Sequence, residues 1–353
     1  MTQNKKNKLY IEDLDNILNQ DGIADFCGKH FLITGATGMI GTCLIDALMR
    51  YNETQNAKIK VTAVGRNKER AAERLGMYYD NEYFSFIEQD VRQPFPSDLK
   101  LDYIIPLASN THPLAYSQYP IDTMMINIKG AEHCLELAQK TGATVLYPSS
   151  VEIYGNARNE GDRFTEDYTG TLNLSTARSC YTESKRTAEA LCLSYAAEKD
   201  VKVKIVRLSR IFGPTMLLSD SKASSQFIKR AIAKEDIVLK SKGEQYYSYT
   251  YVADAVSAML CVLLHGENGG AYNISNESCN VHLRDFAEKC AEIASRKVIY
   301  DLPSEVERKG YSTSMTAILD NIKLKALGWK SRYTFSDALS KTIEIMKAEA
   351  DGE

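Results

Sequence analysis

Apolar runs alternate with amphipathic helical stretches through residues 1–212 of the chain. Apolar runs of this length predict strands buried on both faces, and the helices between them predict a parallel sheet that is covered on both sides. The predicted strands are 30–34, 58–64, 83–87, 103–107, 144–147 and 203–208. The predicted helices are 40–51, 121–140 and 182–199. The order is that of an α/β, doubly wound parallel sheet.

Beyond residue 212 the pattern changes to shorter, mixed elements, with a helix-like segment at 224–233, an apolar run at 237–240 and a longer one at 252–264. We predict two domains. Residues 1–212 form the sheet with an amino-terminal helical extension, and residues 213–353 mainly form a smaller α/β lobe, partly interleaved with the first. Because ligands of open α/β sheets bind at the carboxyl ends of the strands, this lobe is expected to bind the substrate there.

Composition excludes several classes of function. The 353 residues are 44% apolar, and the net charge of −3 gives no electrostatic case for nucleic acid or a membrane surface as partner. The eight cysteines form no Cys-x-x-Cys pair and the five histidines show no metal spacing, so we expect reduced, mostly buried thiols and no metal. The polar amino terminus and the lack of about 18 consecutive apolar residues predict a cytoplasmic protein.

A glycine pattern follows the first predicted strand directly. Gly35, Gly38 and Gly41 lie between that strand and the helix after it, which is the setting of the Rossmann dinucleotide-binding fingerprint. Glycines there allow a tight turn and let the backbone approach a pyrophosphate at the positive helix end. The coenzyme contacts predicted between and beside these glycines are Thr37, Met39 and Ile40.

The residues after the next two strands bear on which dinucleotide binds. A carboxylate at the end of the second strand would select NAD, but Arg66 stands there and could accept the 2′-phosphate of NADP. The alternative is that Arg66 is a solvated surface arginine, so the choice between NAD and NADP stays open. Asp90 and Val91, after the third strand, are predicted to meet the adenine, with an exposed loop aspartate as the alternative.

Tyr181 and Lys185 are four residues apart on one predicted helix, and Ser150 follows the fifth strand. A tyrosine with a pKa near its usual value of about 10 needs a neighbouring cation to act as a base near neutral pH. Lys185 could supply that charge, and Ser150 could hydrogen-bond the same substrate hydroxyl. The three side chains therefore predict a proton-transfer site beside a dinucleotide.

These motifs together resemble the extended short-chain dehydrogenase/reductase family, whose members modify nucleotide sugars. The resemblance runs from about residue 28 to 329 and includes Ser150 to Gly155, the Tyr181 and Lys185 pair, and Arg207 to Pro214. Within the family the chain looks most like UDP-glucuronate decarboxylases. The segments that carry this likeness are 107–109, 166–168, 178–186 and 212–216.

The resemblance implies a tightly bound NAD and a catalytic set of Ser150, Glu152, Tyr181 and Lys185. It also implies coenzyme contacts from Leu107, Ala108 and Ser109, and substrate contacts from Ser109, Glu152 and Arg178. Related enzymes pair two helices with a twofold copy. Apolar positions in the helices at 127–140 and 182–199, including Ala188, Leu191 and Tyr195, therefore predict a homodimer through a four-helix bundle.

Glu152 narrows the choice among reactions. Within the family that the chain resembles, decarboxylases and 4,6-dehydratases carry a glutamate at this position, whereas simple 4-epimerases usually lack it. Dehydratases add an aspartate just before it as the acid that expels the leaving hydroxyl, and this chain has Val151. The missing acid favours decarboxylation over dehydration. A structural carboxylate paired with an arginine is the alternative for Glu152.

Three positions depart from the family pattern. Tyr247 stands where an arginine usually clamps the substrate diphosphate, Arg210 replaces an asparagine, and Thr215 replaces another arginine. We expect Arg210 to take over the phosphate contact, with pairing to an acidic neighbour such as Asp254 as the alternative. Tyr247 and the alternating tyrosines around it are expected to pack in a half-buried strand, although they could line the nucleotide site.

The leading hypothesis is therefore an enzyme that transiently oxidises the C4 hydroxyl of a nucleotide sugar with NAD, most like a UDP-glucuronate decarboxylase. A nucleotide-sugar 4-epimerase or 4,6-dehydratase is the first alternative. An NADP-dependent reductase that releases its coenzyme each turn, favoured by Arg66, is the second. A non-catalytic dinucleotide-binding protein is the third, since a fold alone does not fix function.

Overall fold

The computed structural model describes residues 7–96, 98–111, 113–301 and 314–351. Its strands are β1 (His30–Thr34), β2 (Lys60–Gly65), β3 (Phe84–Glu88), β4 (Tyr103–Pro106), β5 (Thr144–Ser150), β6 (Arg163–Phe164), β7 (Val203–Leu208), β8 (Arg210–Phe212), β9 (Ile237–Leu239), β10 (Tyr246–Tyr251), β11 (Ala271–Ile274), β12 (Asn280–His282), β13 (Val298–Tyr300) and β14 (Thr316–Leu319).

The helices, numbered along the described residues, are α1 (Lys8–Leu18), α2 (Met39–Gln55), α3 (Lys68–Leu75), α4 (Pro113–Gln118), α5 (Pro120–Thr141), α6 (Ser179–Lys199), α7 (Ala223–Ile232), α8 (Val252–His265), α9 (Leu283–Ala294), α10 (Ile322–Ala326) and α11 (Phe335–Asp351). Short 3-10 segments include Val151–Tyr154, directly after β5. Residues 302–313 lie outside the description, as does His112 among the five histidines of the sequence.

A seven-stranded parallel sheet in the order β11-β7-β5-β4-β1-β2-β3 forms the centre of the fold. Its inner strands are almost wholly buried, as in β1, because helices cover both faces. The predicted doubly wound α/β sheet is therefore confirmed. Two strand details differ from prediction: β5 continues to Ser150, and the outer strand β11 comes from the second half of the chain.

The strand order reverses between β1 and β4, which are adjacent although β2 and β3 intervene in sequence. At such a switch point the loops at the carboxyl ends of the two strands diverge and leave a crevice. The glycine turn after β1, the loop after β4 and the end of β5 all open into this crevice. The fold thus brings together three segments that are distant in sequence.

A second, smaller sheet has the order β12-β10-β14-β6, with β8 paired to β10. The chain leaves the main sheet at the end of β7 and immediately pairs with β10 through β8, so that Arg210 lies opposite Tyr249. Tyr247, Tyr249 and Tyr251 are packed in the interior, as expected, but Ser248 and Thr250 between them are buried too, so the prediction of a half-buried strand is wrong. The paired strands place Arg210 beside these rings.

The amino-terminal helix α1 packs against α2 and α8. Its buried Asp13 accepts hydrogen bonds from the hydroxyls of Tyr251 and Tyr333 and forms an ion pair with Lys341. Of the free cysteines, only Cys27 is exposed, as the sequence predicted for mostly buried thiols. Across the described ranges, no helix combines the length and the hydropathy that crossing a membrane requires.

Candidate active site

The turn after β1 is built so that only glycines fit. Gly35 has φ +62°, and a Cβ on it would lie 2.7 Å from the backbone nitrogen of Ala108. A Cβ on Gly41 would lie 2.5 Å from the carbonyl oxygen of Gly35. No side chain caps the amino terminus of α2 at Gly38, so the first N–H groups of that helix are available to an anion. The turn fits the pyrophosphate of a dinucleotide.

The other predicted residues of this turn lie around the same helix end. Met39 begins α2, with Ile40 next to it, and the carbonyl oxygen of Met39 accepts a hydrogen bond from the Thr215 hydroxyl at 2.8 Å. Thr37 lies between the glycines, near Gly65 at the end of β2. Thr215, one of the positions that depart from the family pattern, therefore braces the turn.

A narrow cleft beside β1 joins several of the predicted coenzyme residues. Its lining includes Val91, Ala108 and Lys185. Asn127 Oδ1 and the Tyr147 hydroxyl also belong to this cleft, and both are buried with no hydrogen-bond partner in the described part of the chain. Because buried polar groups are normally satisfied, these two atoms leave hydrogen-bonding capacity at this place for a polar group from outside the described chain.

The ends of β2 and β3 differ in their exposure. Arg66, directly after β2, is exposed. Asp90, after β3, is half-buried, and its carboxylate forms an ion pair with Arg92 at 2.6 Å. Arg92 also contacts Asp122 at the start of α5, at 2.8 Å. The hydrogen bond from Arg92 lowers the pKa of Asp90. Sequence reasoning missed Arg92, because its partner Asp122 lies about one helix further along the chain.

Ser150 and Tyr181 meet at the carboxyl end of β5. Ser150 is the last residue of β5, and its Oγ accepts a hydrogen bond from the Glu152 backbone N–H at 3.3 Å. Tyr181 lies in the first turn of α6, and its side chain is almost wholly buried. Burial raises the pKa of Tyr181 to about 12, although a hydrogen bond with Ser150 partly offsets the rise. The predicted proton-transfer pair is thus assembled.

Lys185 lies one turn after Tyr181 and is buried. Its Nζ donates a hydrogen bond to the carbonyl oxygen of Pro148 at 2.8 Å and lies 5.0 Å from the centre of the Tyr147 ring. Burial lowers the pKa of Lys185 to about 8. The cation that lowers the pKa of Tyr181 in this structure is Arg178. The stabilisation of the phenolate by Lys185 therefore stays a prediction.

Tyr116, in α4, covers the Tyr181 ring. The two rings stack with centroids 4.9 Å apart and an interplanar angle of 27°. Burial raises the pKa of Tyr116 far above its usual value. No sequence signal singled out Tyr116, which lies in a short helix after β4 without a motif of its own.

The remaining predicted residues lie on the loop after β4. Leu107 packs against the core, and the backbone N–H of Ala108 donates to the Thr34 hydroxyl at 3.1 Å. The Ser109 hydroxyl donates to the carbonyl oxygen of Asn110 at 3.2 Å. This loop closes over the glycine turn, because the Cβ position of Gly35 faces its backbone.

Four residues form a charged group next to Ser150, which we name the arginine–glutamate cluster: Glu152, Arg178, Arg210 and Tyr247. Arg178 Nη1 lies 3.3 Å from Glu152 Oε2, and Arg210 Nη2 lies 3.4 Å from Glu152 Oε1. The Arg210 guanidinium lies over the Tyr247 ring, 3.5 Å from its centre. The predicted substrate residues Glu152, Arg178, Arg210 and Tyr247 are therefore brought together.

The acidic partner of Arg210 is Glu152, so pairing with Asp254 is wrong. Asp254 is buried in α8, where it accepts hydrogen bonds from Asn276 Nδ2 and from the Arg332 backbone N–H. Asp254 lies in the first turn of α8, whereas Arg210 lies at the start of β8. The pairing of Glu152 with arginines, given as its structural alternative, is observed.

No group of histidine, cysteine, aspartate and glutamate side chains in the described ranges could hold a metal ion. The observed site combines a glycine turn at the start of α2, a buried phenol beside a serine, and a charged cluster next to them. Such a site can bind a coenzyme and move a proton at a neighbouring hydroxyl.

Comparisons with known proteins agree with this geometry. A family model described as "NAD dependent epimerase/dehydratase family" matches residues 31–275. UDP-glucuronic acid decarboxylase 5 of Arabidopsis thaliana is 32% identical over 89% of this chain and 89% of its own length. UDP-glucuronic acid decarboxylase 2 of the same plant is 32% identical over 70% of this chain, and the match spans 54% of that relative.

Solved structures share the fold at lower identity. UDP-glucuronic acid 4-epimerase from Bacillus cereus, in complex with UDP-glucuronic acid and NAD, matches with a TM-score of 0.77 and 20% identity over 91% of this chain and 99% of that structure. dTDP-glucose 4,6-dehydratase from Bacillus anthracis, in complex with NAD, matches with a TM-score of 0.76 and 20% identity over 92% of this chain and 98% of that one.

Proposed function

We propose that this chain, which belongs to the NAD dependent epimerase/dehydratase family, transiently oxidises the C4 hydroxyl of a nucleotide sugar and acts most like a UDP-glucuronate decarboxylase. The observation that carries the proposal is that the buried Tyr181, in the first turn of α6, lies beside Ser150 at the carboxyl end of β5. The dinucleotide cleft lies on one side of this pair, and the arginine–glutamate cluster lies on the other. The similarity to UDP-glucuronic acid decarboxylases supports the choice of sugar.

NAD bound in the cleft supplies a hydride acceptor and later a hydride donor. The N–H groups at the start of α2 would hold its pyrophosphate, and Lys185 would contact its nicotinamide ribose. The carboxyl group of Asp90, kept ionised by Arg92, would accept hydrogen bonds near the adenine. Arg66 is exposed and so does not close the cleft to either dinucleotide.

In the proposed reaction, Tyr181 takes the proton of the C4 hydroxyl while Ser150 donates a hydrogen bond to the same oxygen. Because burial raises the pKa of Tyr181 to about 12, its phenolate needs a positive charge nearby. Arg178 supplies part of that charge in the free protein. Lys185, one helical turn away, is expected to supply more when the coenzyme is in place.

Oxidation at C4 prepares the loss of the neighbouring carboxylate. The bond between C5 and C6 breaks, CO2 leaves, and the electron pair forms a C4–C5 double bond while the C4 ketone becomes an enolate oxygen. A proton then adds at C5, the hydride returns to C4, and Tyr181 gives its proton back to the C4 oxygen. Val151 offers no acid for the loss of a hydroxyl, which is why we propose decarboxylation rather than dehydration.

Product analysis tests the proposal. Purified protein with NAD is incubated with UDP-glucuronate, UDP-glucose and dTDP-glucose, and the products are identified by NMR. We expect a UDP-pentose and CO2 from UDP-glucuronate. An epimeric uronate would instead make the chain a 4-epimerase, and a 4-keto-6-deoxy sugar would make it a dehydratase. No turnover of any nucleotide sugar would contradict the proposal, and loss of coenzyme during gel filtration would favour the reductase alternative.

We further propose a homodimer formed through α5 and α6. These helices pack against each other. Ala188, expected at the interface, is buried in the protein's own core, whereas Met125 and Leu193 are 37% and 46% exposed. An exposed apolar surface next to a packed helix pair suits a twofold copy of itself. Light scattering at micromolar concentration should give a dimeric mass that Leu193→Glu reduces. A monomeric mass for the unchanged protein would contradict this assembly.

A cytoplasmic location is also proposed, on the evidence of the thiols. Cys43, Cys134 and Cys192 are buried and free, as expected for a reducing compartment. Fluorescence microscopy of the tagged protein should show signal throughout the cytoplasm. Signal confined to a membrane or an exported fraction would contradict this location.

That residues 1–212 form the coenzyme-binding domain and residues 213–353 mainly the substrate-binding lobe likewise stays a proposal.

A further inference from the structure

Two guanidinium groups share one carboxylate in the arginine–glutamate cluster. Each oxygen of Glu152 faces a different arginine, Arg178 at 3.3 Å and Arg210 at 3.4 Å. These side chains are 20–29% exposed, so the cluster is partly shielded from water. Two positive charges and one negative charge leave one positive charge in excess. A partly desolvated excess charge favours the binding of an anion.

Both arginines also have hydrogen-bonding capacity left over. Arg178 Nε and Arg210 Nη1 are buried, and neither has a hydrogen-bond partner in the described ranges. Native proteins pair most buried polar groups, since an unpaired one costs about 1–3 kcal/mol. Two unpaired guanidinium N–H groups on either side of Glu152 therefore indicate a place for an acceptor from outside the chain.

The second sheet holds Arg210 in place. Arg210 lies opposite Tyr249 in the pairing of β8 with β10, and its guanidinium carbon lies over the Tyr247 ring, 3.5 Å from the ring centre. The ring covers one face of the guanidinium, and its N–H groups point outward along the edge of the plane. Tyr247 occupies the position where the family pattern has an arginine. In this chain, a positive charge stands on the neighbouring strand instead.

The position of the cluster indicates which part of the substrate it meets. The Glu152 backbone N–H donates to Ser150 Oγ at 3.3 Å, and Glu152 and Arg178 both influence the Tyr181 phenol. A sugar with its C4 hydroxyl on Ser150 and Tyr181 has its C6 substituent only two bonds from C4. The cluster is therefore suited to the C6 end of the sugar rather than to the diphosphate.

We infer that the arginine–glutamate cluster binds the carboxylate of a uronic-acid sugar, and that Arg210 sets the preference for this acidic sugar over a neutral one. The inference rests on the proposed function, because that function places the C4 hydroxyl at Tyr181. Arginine suits the role, since its planar N–H groups can donate two parallel hydrogen bonds to a carboxylate. Arg210 is then a specificity-determining residue, and the diphosphate contact expected from its motif position lies elsewhere.

Calorimetric titration of the full-length, NAD-loaded protein tests the inference. The ligands are UDP-glucuronate and UDP-glucose, which share nucleotide, diphosphate and ring and differ only in the C6 group. The variants are Arg210→Gln, Arg210→Lys and the control Arg163→Gln. Arg163 is 54% exposed and lies 3.8 Å from Glu277, so the control removes one positive charge from a surface ion pair.

The unchanged protein should bind UDP-glucuronate more tightly than UDP-glucose. Arg210→Gln should weaken UDP-glucuronate binding about tenfold or more, the size of one lost charge-assisted contact, and change UDP-glucose binding by less than about threefold. Arg210→Lys should keep part of the preference, and Arg163→Gln should keep all of it. Thermal unfolding checks that each variant is folded. If Arg210→Gln does not fold, the comparison of the two ligands is made with Arg210→Lys instead.

Two results would overturn the inference. An equal loss of affinity for both ligands would place Arg210 on the diphosphate. Unchanged affinities would mean that Arg210 only holds Glu152 in position. Failure of the proposed function gives a different result. If the unchanged protein turns over no nucleotide sugar, the proposed function fails whatever the titrations show. If it converts UDP-glucuronate but Arg210→Gln keeps the preference, only the inference fails.

Discussion

The proton-transfer side of the site and its arginine–glutamate cluster are built differently. Ser150 and Tyr181 come from the end of β5 and the first turn of α6, a helix that packs against that strand. The cluster instead takes Glu152 from a 3-10 segment, Arg178 from the residue before α6 and Arg210 from the second sheet. The first side depends on the common scaffold, whereas the second depends on where two sheets meet. Substrate choice can therefore change while proton transfer is kept.

The largest effect is expected on the proton-transfer side. Tyr181→Phe removes only the ionisable oxygen, so turnover should fall by about 10²–10⁴-fold, the usual contribution of a positioned acid–base group. NAD affinity and thermal stability should stay close to those of the parent protein. Steady-state rates with the best nucleotide sugar provide the measurement. A variant with more than about a tenth of the parent rate would remove the phenol from the mechanism.

The glycine turn should respond next most strongly. In Gly41→Ala the new methyl group would lie 2.5 Å from the Gly35 carbonyl oxygen, so the turn must shift. Overpacking of this kind costs about 1–3 kcal/mol, which corresponds to a loss of NAD affinity of up to about a hundredfold.

Gly76→Ala is the matched control for this turn. Gly76 has φ −57° and ends α3. A methyl group on it would meet nothing within 4 Å. NAD titration should therefore separate the two variants. Equal affinities would mean that the turn after β1 does not hold the coenzyme.

Lys185 should give a smaller, pH-dependent effect on stability. Burial lowers its pKa from 10.5 to about 8, so the folded protein loses this proton before the unfolded chain does. Between these two values the unfolded state binds more protons, and the contribution of Lys185 to stability rises with pH by up to about 1.4 kcal/mol per unit. Below about pH 8 both states hold the proton, and the contribution is constant.

Urea unfolding of the coenzyme-free protein and of Lys185→Met checks this effect. From about pH 7 to about pH 9.5, the difference in free energy of unfolding should move in favour of the parent protein by about 1–2 kcal/mol. Other buried groups cancel in the difference, because both proteins carry them. Parallel pH curves for the two proteins would show that the amine is not held in a desolvated site.

Arg66 should give the smallest effect. It is exposed, so Arg66→Gln should change NAD affinity by less than about threefold, as for other exposed charges. NADP affinity should fall more than NAD affinity if the guanidinium meets a 2′-phosphate. Titration with both coenzymes measures this. A larger loss for NAD than for NADP would place Arg66 in the NAD site itself.

The sequence predicted the scaffold because the relevant signals are local. A buried strand, a glycine turn and a helix follow one another within residues 30–55, and the Tyr181 and Lys185 spacing lies within one helical turn. Short-range patterns of this kind do not depend on how distant segments pair. The sequence could therefore predict that Ser150 and Tyr181 would meet, once both were assigned to the same sheet edge.

The contact of Arg210 with Glu152 in the cluster could not be predicted, because long-range pairing decides it. Arg210 meets Glu152 only because β8 leaves the main sheet and pairs with β10, and nothing in the local sequence specifies that pairing. The same limit explains why the contact of Arg92 with Asp122 was missed, and why the stacking of Tyr116 on Tyr181 carried no signal. Motif position alone pointed Arg210 towards the phosphate, whereas packing places it beside Glu152.

The central claim is that the hydride removed from C4 is stored on the coenzyme and returned to the same sugar. UDP-glucuronate labelled with deuterium at C4 tests this claim directly, in the presence of unlabelled NAD and analysed by mass spectrometry and NMR. The account predicts a pentose product that keeps its deuterium at C4, with no net formation of NADH. A product without the label, or NADH formed in proportion to product, would contradict it.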